Sequence, residues 1–206
     1  MALIAALLGL AAVAAVAPPS RVNPRALSLA LSALACAVIL GLGVTILATG
    51  TTVAATAGQV LGFTLIDVRY DALSAVFLVA LGGVGVASSL FGIGHDAHDP
   101  GPADRTAAAY PIFLASLALV FGAADAFAFL FAWELMALSS AVLVVGSRPS
   151  AEVARAGYVY LAMTHLATAA LIVAFAILTA AAGSTSFAGF AAAAGALPPL
   201  GRDVVF

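Results

Sequence analysis

Apolar residues in this chain run on in long blocks, with none of the strict alternation of a strand and no narrow stripe of a surface helix. Six such blocks can be marked, at about 2–17, 26–49, 71–93, 107–122, 127–146 and 156–181. A helix of about 20 residues at 1.5 Å per residue crosses the roughly 30 Å of a bilayer's hydrocarbon. The pattern therefore predicts an all-α integral membrane protein, a polytopic bundle of about six transmembrane helices. It reads as one transmembrane domain over 1–206.

The polar punctuation fits that reading. Pro18 and Pro19 cannot continue the first helix. The first block lacks a basic start, so it reads as a helix and not as a cleaved signal. Residues 95–102 are rich in breakers and predict a loop, and 147–155 predicts another. Gly122 to Asp125 predicts a tight turn, with Asp125 capping the fifth helix. Asp71 predicts a cap for the third helix and an interfacial ion pair with Arg69. The stretch 50–70 is only partly polar. Its Phe63–Tyr70 portion, β-branched and aromatic, predicts a short hairpin at the membrane surface. Residues 183–200, weakly apolar and rich in Ala, Gly and Phe, are expected at the interface, and 201–206 reads as the start of a further helix.

Composition sharpens the class. Of 206 residues 65 % are hydrophobic and only 8 % charged, with a mean hydropathy of +1.21. A soluble core could not hide that apolar surface, so the expected surroundings are a lipid bilayer. The seven basic residues are all arginine, and no basic patch points to nucleic acid. Arg21, Arg25, Arg105, Arg148 and Arg155 fall in loops one, three and five, against Arg69 and Arg202 on the other side. That asymmetry predicts cytoplasmic odd loops and an N-terminus outside the cell. Cys36 stands alone in an apolar run and reads as packing.

Candidate chemistry is sparse. Glu134 lies eight residues into the fifth block, where a charged carboxylate costs about 2.5–3.5 kcal/mol on insertion scales. Such a residue marks an ion or proton pathway, or else a neutral acid hydrogen-bonded to a neighbouring helix. Blocks five and six form a hairpin centred near residue 150 or 151, which sets Glu134 level with residue 167. His165 then lies within about 3 Å of the same depth. The two could form a proton relay, although His165 could equally be a neutral side chain bonded to Thr164, Thr168 or a backbone carbonyl. His95, Asp96, His98 and Asp99 have a ligand-like composition but sit in a predicted polar loop and read as solvated, not as a metal site. No motif implies a cofactor, a catalytic triad or a redox centre.

The run Phe129-Leu-Phe-Ala-Trp-Glu-Leu-Met-Ala-Leu-Ser-Ser140 resembles the fifth helix of the antiporter-like subunits of NADH–quinone oxidoreductase, a family that includes subunits of membrane-bound hydrogenases and cation/proton antiporters. Arg69-Tyr-Asp-Ala-Leu-Ser-Ala-Val-Phe77 is similar to that family's entry to its third helix. Tyr158-Val-Tyr-Leu-Ala-Met-Thr-His-Leu-Ala-Thr168 resembles the hydrogenase-4 component B and formate hydrogenlyase branch. The resemblance implies a proton-translocating subunit of a multi-subunit oxidoreductase in a bacterial plasma membrane. Its electron carriers would lie on other membrane and peripheral subunits. It also implies that Glu134 belongs to a proton half-channel and pairs with a lysine on a seventh helix, with His165 as a branch feature. Here no lysine is present and the sequence stops where that helix should begin, which reads as the N-terminal fragment of a longer subunit or a truncated product. Two other readings use the same features: a sodium/proton antiporter subunit, and a structural bundle that supports its neighbours.

Overall fold

The computed structural model describes residues 2–16, 23–60, 63–98, 106–146 and 150–193. Its elements are α1 (Ala2–Val16), α2 (Pro24–Thr49), β1 (Val53–Val60), β2 (Phe63–Tyr70), α3 (Ala72–His98), α4 (Thr106–Gly122), α5 (Ala126–Gly146), α6 (Ala151–Ala182) and α7 (Phe187–Ala193). The chain is a multi-pass helical membrane protein. Helices α2, α3, α5 and α6 are long and apolar enough to cross a membrane, and two shorter apolar helices, Ile4–Val16 and Ala107–Gly122, accompany them.

Helix ends follow the capping chemistry. Asn23 accepts a hydrogen bond from the Arg25 N–H at 3.0 Å and Pro24 opens α2, so α2 starts two residues before the apolar block does. The Ser74 N–H donates to the Asp71 carboxylate at 3.0 Å, which is the expected cap of α3; Arg69 is exposed on β2. Two boundaries differ from expectation. Helix α3 runs on to His98, so His95, Asp96 and His98 stand on its last turns and not in a loop. The His95 ring stacks on Phe91 one turn back, and the prolines that stop a helix come only at 100 and 102. Asp99 and the rest of that loop lie outside the described residues. Among the described residues no three His, Cys, Asp or Glu side chains are placed to hold a metal ion. Helix α6 starts at Ala151 and not near 156, because Ser150 caps it by accepting from the Val153 N–H at 3.1 Å. Glu152 and Arg155 are thus helical.

The main core joins α1, α2, α3, α4 and β2. Helices α2 and α3 cross closely through glycines. A Cβ on Gly82 would lie 2.6 Å from the Leu40 nitrogen and 2.7 Å from the Cys36 carbonyl. Without a hydrophobic driving force between helices in lipid, such small-residue contact is what gives dispersion its reach. Cys36 is buried in this seam, as packing requires.

Strands β1 and β2 form an antiparallel hairpin with Val53 opposite Tyr70 and Thr56 opposite Asp67, so the hairpin spans 53–70 and Phe63–Tyr70, expected to form it alone, is only its second strand. It sits at one end of the bundle, where α2, α4 and α6 finish and α3 and α5 begin. Tyr70 turns inward, fully buried, and its hydroxyl donates to the Ala118 carbonyl at 2.8 Å. Burial pushes that phenol well above the usual tyrosine range. Gly122 faces the Tyr70 ring so closely that any Cβ would overlap it.

The chain between α4 and α5 is held from both sides. The Ala124 N–H donates to the Asp67 carbonyl at 2.9 Å. On the other flank the Ala126 N–H donates to Thr185 at 3.0 Å, and the Phe187 N–H donates to Ala124 at 3.1 Å. Residues 183–193, expected at the interface, fold back as α7 against the α5–α6 hairpin. Leu178, Ala126 and Phe190 form a second, smaller core there. Residues 194–206, with the expected start of a further helix, lie outside the described residues.

Candidate functional site

Helix α5 positions the site. Asp125 caps it, accepting from the Ala128 N–H at 2.9 Å, as its sequence position predicts. Its apolar face then carries Glu134 about 12 Å along the axis, at 1.5 Å per residue. Helix α6 returns antiparallel, and its register against α5 is fixed at three levels. Gly157 meets Val145 so closely that a Cβ would collide with it. One level deeper, the Ser140 and Tyr160 hydroxyls are hydrogen-bonded at 2.6 Å. Deeper still, the His165 Nε2 stands 3.6 Å from the Glu134 Oε2.

The two residues that the sequence singles out are therefore brought together, within ion-pair reach. Their environments differ. The Glu134 side chain is 30 % exposed and that of His165 54 %. The second carboxylate oxygen of Glu134, Oε1, is buried without a hydrogen-bond partner among the described residues, as is the indole nitrogen of Trp133. An unmatched buried polar atom costs about 1–3 kcal/mol.

The imidazole has a defined tautomer. His165 Nδ1 is 2.8 Å from the Leu161 carbonyl, which can only accept, so Nδ1 carries a proton. In the neutral ring Nε2 is then the bare nitrogen, and it is the one that faces Glu134.

Sequence reasoning weighed Thr164 and Thr168 only as partners of His165 and missed the Tyr160 and Ser140 hydroxyls. Tyr160, Thr164 and Thr168 recur every four residues along α6, and Ser140 meets Tyr160 from α5. The Thr164 hydroxyl donates to the Leu161 carbonyl at 3.0 Å, and Thr168, buried, donates to Thr164 at 3.0 Å. The spacing was visible as a signal, but Tyr160 and Ser140 acquire a joint meaning only once the hairpin register is known. The phenylalanines of α5 divide. Phe127 and Phe131 are exposed, while Phe129 stacks on Trp133 and packs edge-on against Phe175 and Phe187.

Comparison with known proteins bears on the fold and on the stretch that carries the site. Residues 123–200, which hold both Glu134 and His165, match the family model described as NADH:quinone oxidoreductase/Mrp antiporter, transmembrane. An uncharacterized protein of Mycobacterium tuberculosis, found in strains CDC 1551/Oshkosh and H37Rv, is 33 % identical over 135 residues, covering 66 % of this chain and 21 % of its own length. The chain thus spans about a fifth of the curated relatives it matches. Two solved structures share the fold at a TM-score of 0.76 and 20 % identity. One is the membrane-bound sulfane sulfur reductase, an archaeal respiratory membrane complex, where 99 % of this chain covers 41 % of the matched chain. The other is the Mrp complex of a Dietzia species, where 99 % of this chain covers 22 %. The fold is that of chains in multi-subunit membrane complexes.

Proposed function

We propose that this chain belongs to a proton-translocating, antiporter-like subunit of a multi-subunit membrane complex, and that Glu134 and His165 carry the proton. The observation that supports the reading most is the 3.6 Å approach of His165 Nε2 to Glu134 Oε2, inside two helices long enough to span a membrane. A proton moves from the carboxyl Oε2 to the bare Nε2, leaving a carboxylate beside an imidazolium. The fixed Nδ1–H bond to Leu161 keeps Nε2 aimed during the transfer. Such a group works where its proton affinity nearly matches that of its neighbour.

Coupling to electron transfer on partner subunits, as in NADH–quinone oxidoreductase or a membrane-bound hydrogenase of the hydrogenase-4 type, is the setting the motif resemblance favours. The match to a family model that also describes Mrp antiporters keeps sodium/proton exchange as the second setting. Inverted vesicles separate them. Proton uptake driven by a reduced electron donor points to the first, and collapse of an imposed pH gradient by added sodium points to the second.

In either setting Glu134→Gln keeps the shape and removes the titration. Loss of a positioned proton-transfer group costs about 10²-fold or more in rate, so transport should fall to near background. The amount of protein in the membrane should stay normal. Undiminished proton transport in Glu134→Gln would reduce the carboxylate to a structural hydrogen-bonder.

A further inference from the structure

The seam between α5 and α6 carries hydroxyls on one side of the Glu134–His165 pair and phenyl rings on the other. Towards the hairpin end, α5 between 126 and 133 and α6 between 169 and 178 carry no hydroxyl or ionisable side chain. That space is filled by rings. Phe129 lies edge-on to Phe175 at 5.7 Å, Phe175 stacks on Phe190 at 6.0 Å, and Phe187 packs against Phe129, Phe175 and Phe190 at 5.8–6.1 Å. Helix α7 exists to deliver two of these rings, and its place is fixed by the backbone bonds between 124–126 and 185–187. Towards the α5–α6 loop the picture reverses. Ser140 and Tyr160 bridge the helices at 2.6 Å, Thr164 follows one turn deeper than Tyr160, and Ser150, Glu152 and Arg155 lie at the mouth.

From this asymmetry we infer that protons reach Glu134 from the α5–α6 loop end, passing the Tyr160–Ser140 hydroxyl pair as a gate. The aromatic cluster of Phe129, Phe175, Phe187 and Phe190 seals the opposite end. The inference rests on the reading of Glu134 and His165 as proton carriers.

The chemistry of the gate follows from its bonds. The Ser140 hydroxyl donates to the Ala137 carbonyl at 3.0 Å, so in that state it accepts from Tyr160. A proton arriving at the Tyr160 oxygen from the loop side releases the phenolic proton to Ser140 Oγ, and Ser140 gives up its own once its O–H swings from the Ala137 carbonyl toward Glu134. Six residues, about 9 Å of helix, separate Ser140 from Glu134. Thr164, with water as the only co-reactant, bridges that interval. Hydroxyls carry a proton this way with no net change in their own charge. Rings cannot carry it, which is why a cluster of four phenylalanines makes a seal.

Tyr160→Phe keeps the ring and deletes the relay oxygen; Ser140→Ala deletes its partner. Each is expressed from the native locus and measured as proton uptake by inverted vesicles, normalised to protein in the membrane, beside Glu134→Gln. Uptake should slow several-fold in both variants, and Tyr160→His, which restores a proton-accepting group, should recover part of the rate. Phe175→Ala should let resting vesicles lose an imposed pH gradient faster, and adding Glu134→Gln should abolish that leak. Wild-type rates in both Tyr160→Phe and Ser140→Ala, with Glu134→Gln inactive, overturn the gate while leaving the relay standing. Normal transport in Glu134→Gln removes the relay itself. A Phe175→Ala leak that survives Glu134→Gln would mean that the rings only pack the helices.

Discussion

At the scale of single residues the chain places its few polar groups where each has a physical task. His165 shows how position sets chemistry: its Nδ1–H is tied to the carbonyl one turn back, so only Nε2 is free to exchange a proton with Glu134. His165→Ala should therefore slow proton transport, but less than Glu134→Gln, because water can replace an imidazole more readily than a neutral amide replaces a carboxyl group. The comparison is made in the same vesicles, and a deeper loss in His165→Ala would reverse the roles assigned here. Asp71 offers a separate test in pH. Its carboxyl is held below the usual range, chiefly by the Ser74 N–H. A lowered value in the folded chain means the cap's contribution is present above the ordinary carboxylate range and is lost as pH falls through the lowered value. Amide exchange at Ser74 should accelerate only in acid, and Asp71→Ala should show fast exchange at every pH, a cap being worth about 1 kcal/mol.

At the scale of elements, glycine positions decide how closely helices meet. Gly157→Leu should drive α6 away from α5, since even a Cβ there meets Val145. Overpacking costs about 1–3 kcal/mol, and here it would also lengthen the Glu134–His165 distance. Lower thermal stability in detergent together with reduced proton transport is the expected pair of results; Val145→Ala in the same chain should restore part of both by making room. Gly122 is under the same constraint from the Tyr70 ring, which links the hairpin to the end of α4. The helices themselves were legible in the sequence because a membrane span needs length and apolarity and little else. Their ends were less so. Helix α3 continues through His98 and α6 begins at Ala151, since a few polar residues extend a helix freely until a proline or a cap intervenes.

At the scale of the whole molecule, two cores share the bundle: a broad one over α1 to α4 with Tyr70 at its end, and a small aromatic one joining α5, α6 and α7. The pair Glu134–His165 lies between the small core and the α5–α6 loop. We propose that this loop end faces the cytoplasm, in keeping with the arginine asymmetry, and that the N-terminus lies outside. A cysteine placed at the exposed Glu152 should then resist labelling by impermeant reagents in intact cells and react in inverted vesicles. Labelling from outside would turn the molecule over, and with it the direction in which protons enter.

The sequence by itself determined the fold class, because long apolar blocks can satisfy their backbone in lipid only as helices. It also determined the depth of Glu134 and of His165, since rise per residue and one short loop fix level along a hairpin. Rotation about each helix axis is different: it depends on which faces pack, and apolar blocks this uniform leave no stripe to reveal it. Tertiary structure alone decided that Nε2 faces Oε2, that Tyr160 meets Ser140, and that 183–193 folds back to pack phenylalanine against the α5–α6 seam. Those outcomes depend on contacts between segments far apart in the chain, at Gly157 against Val145 and at Ala124 between Asp67 and Phe187, and no local pattern encodes them.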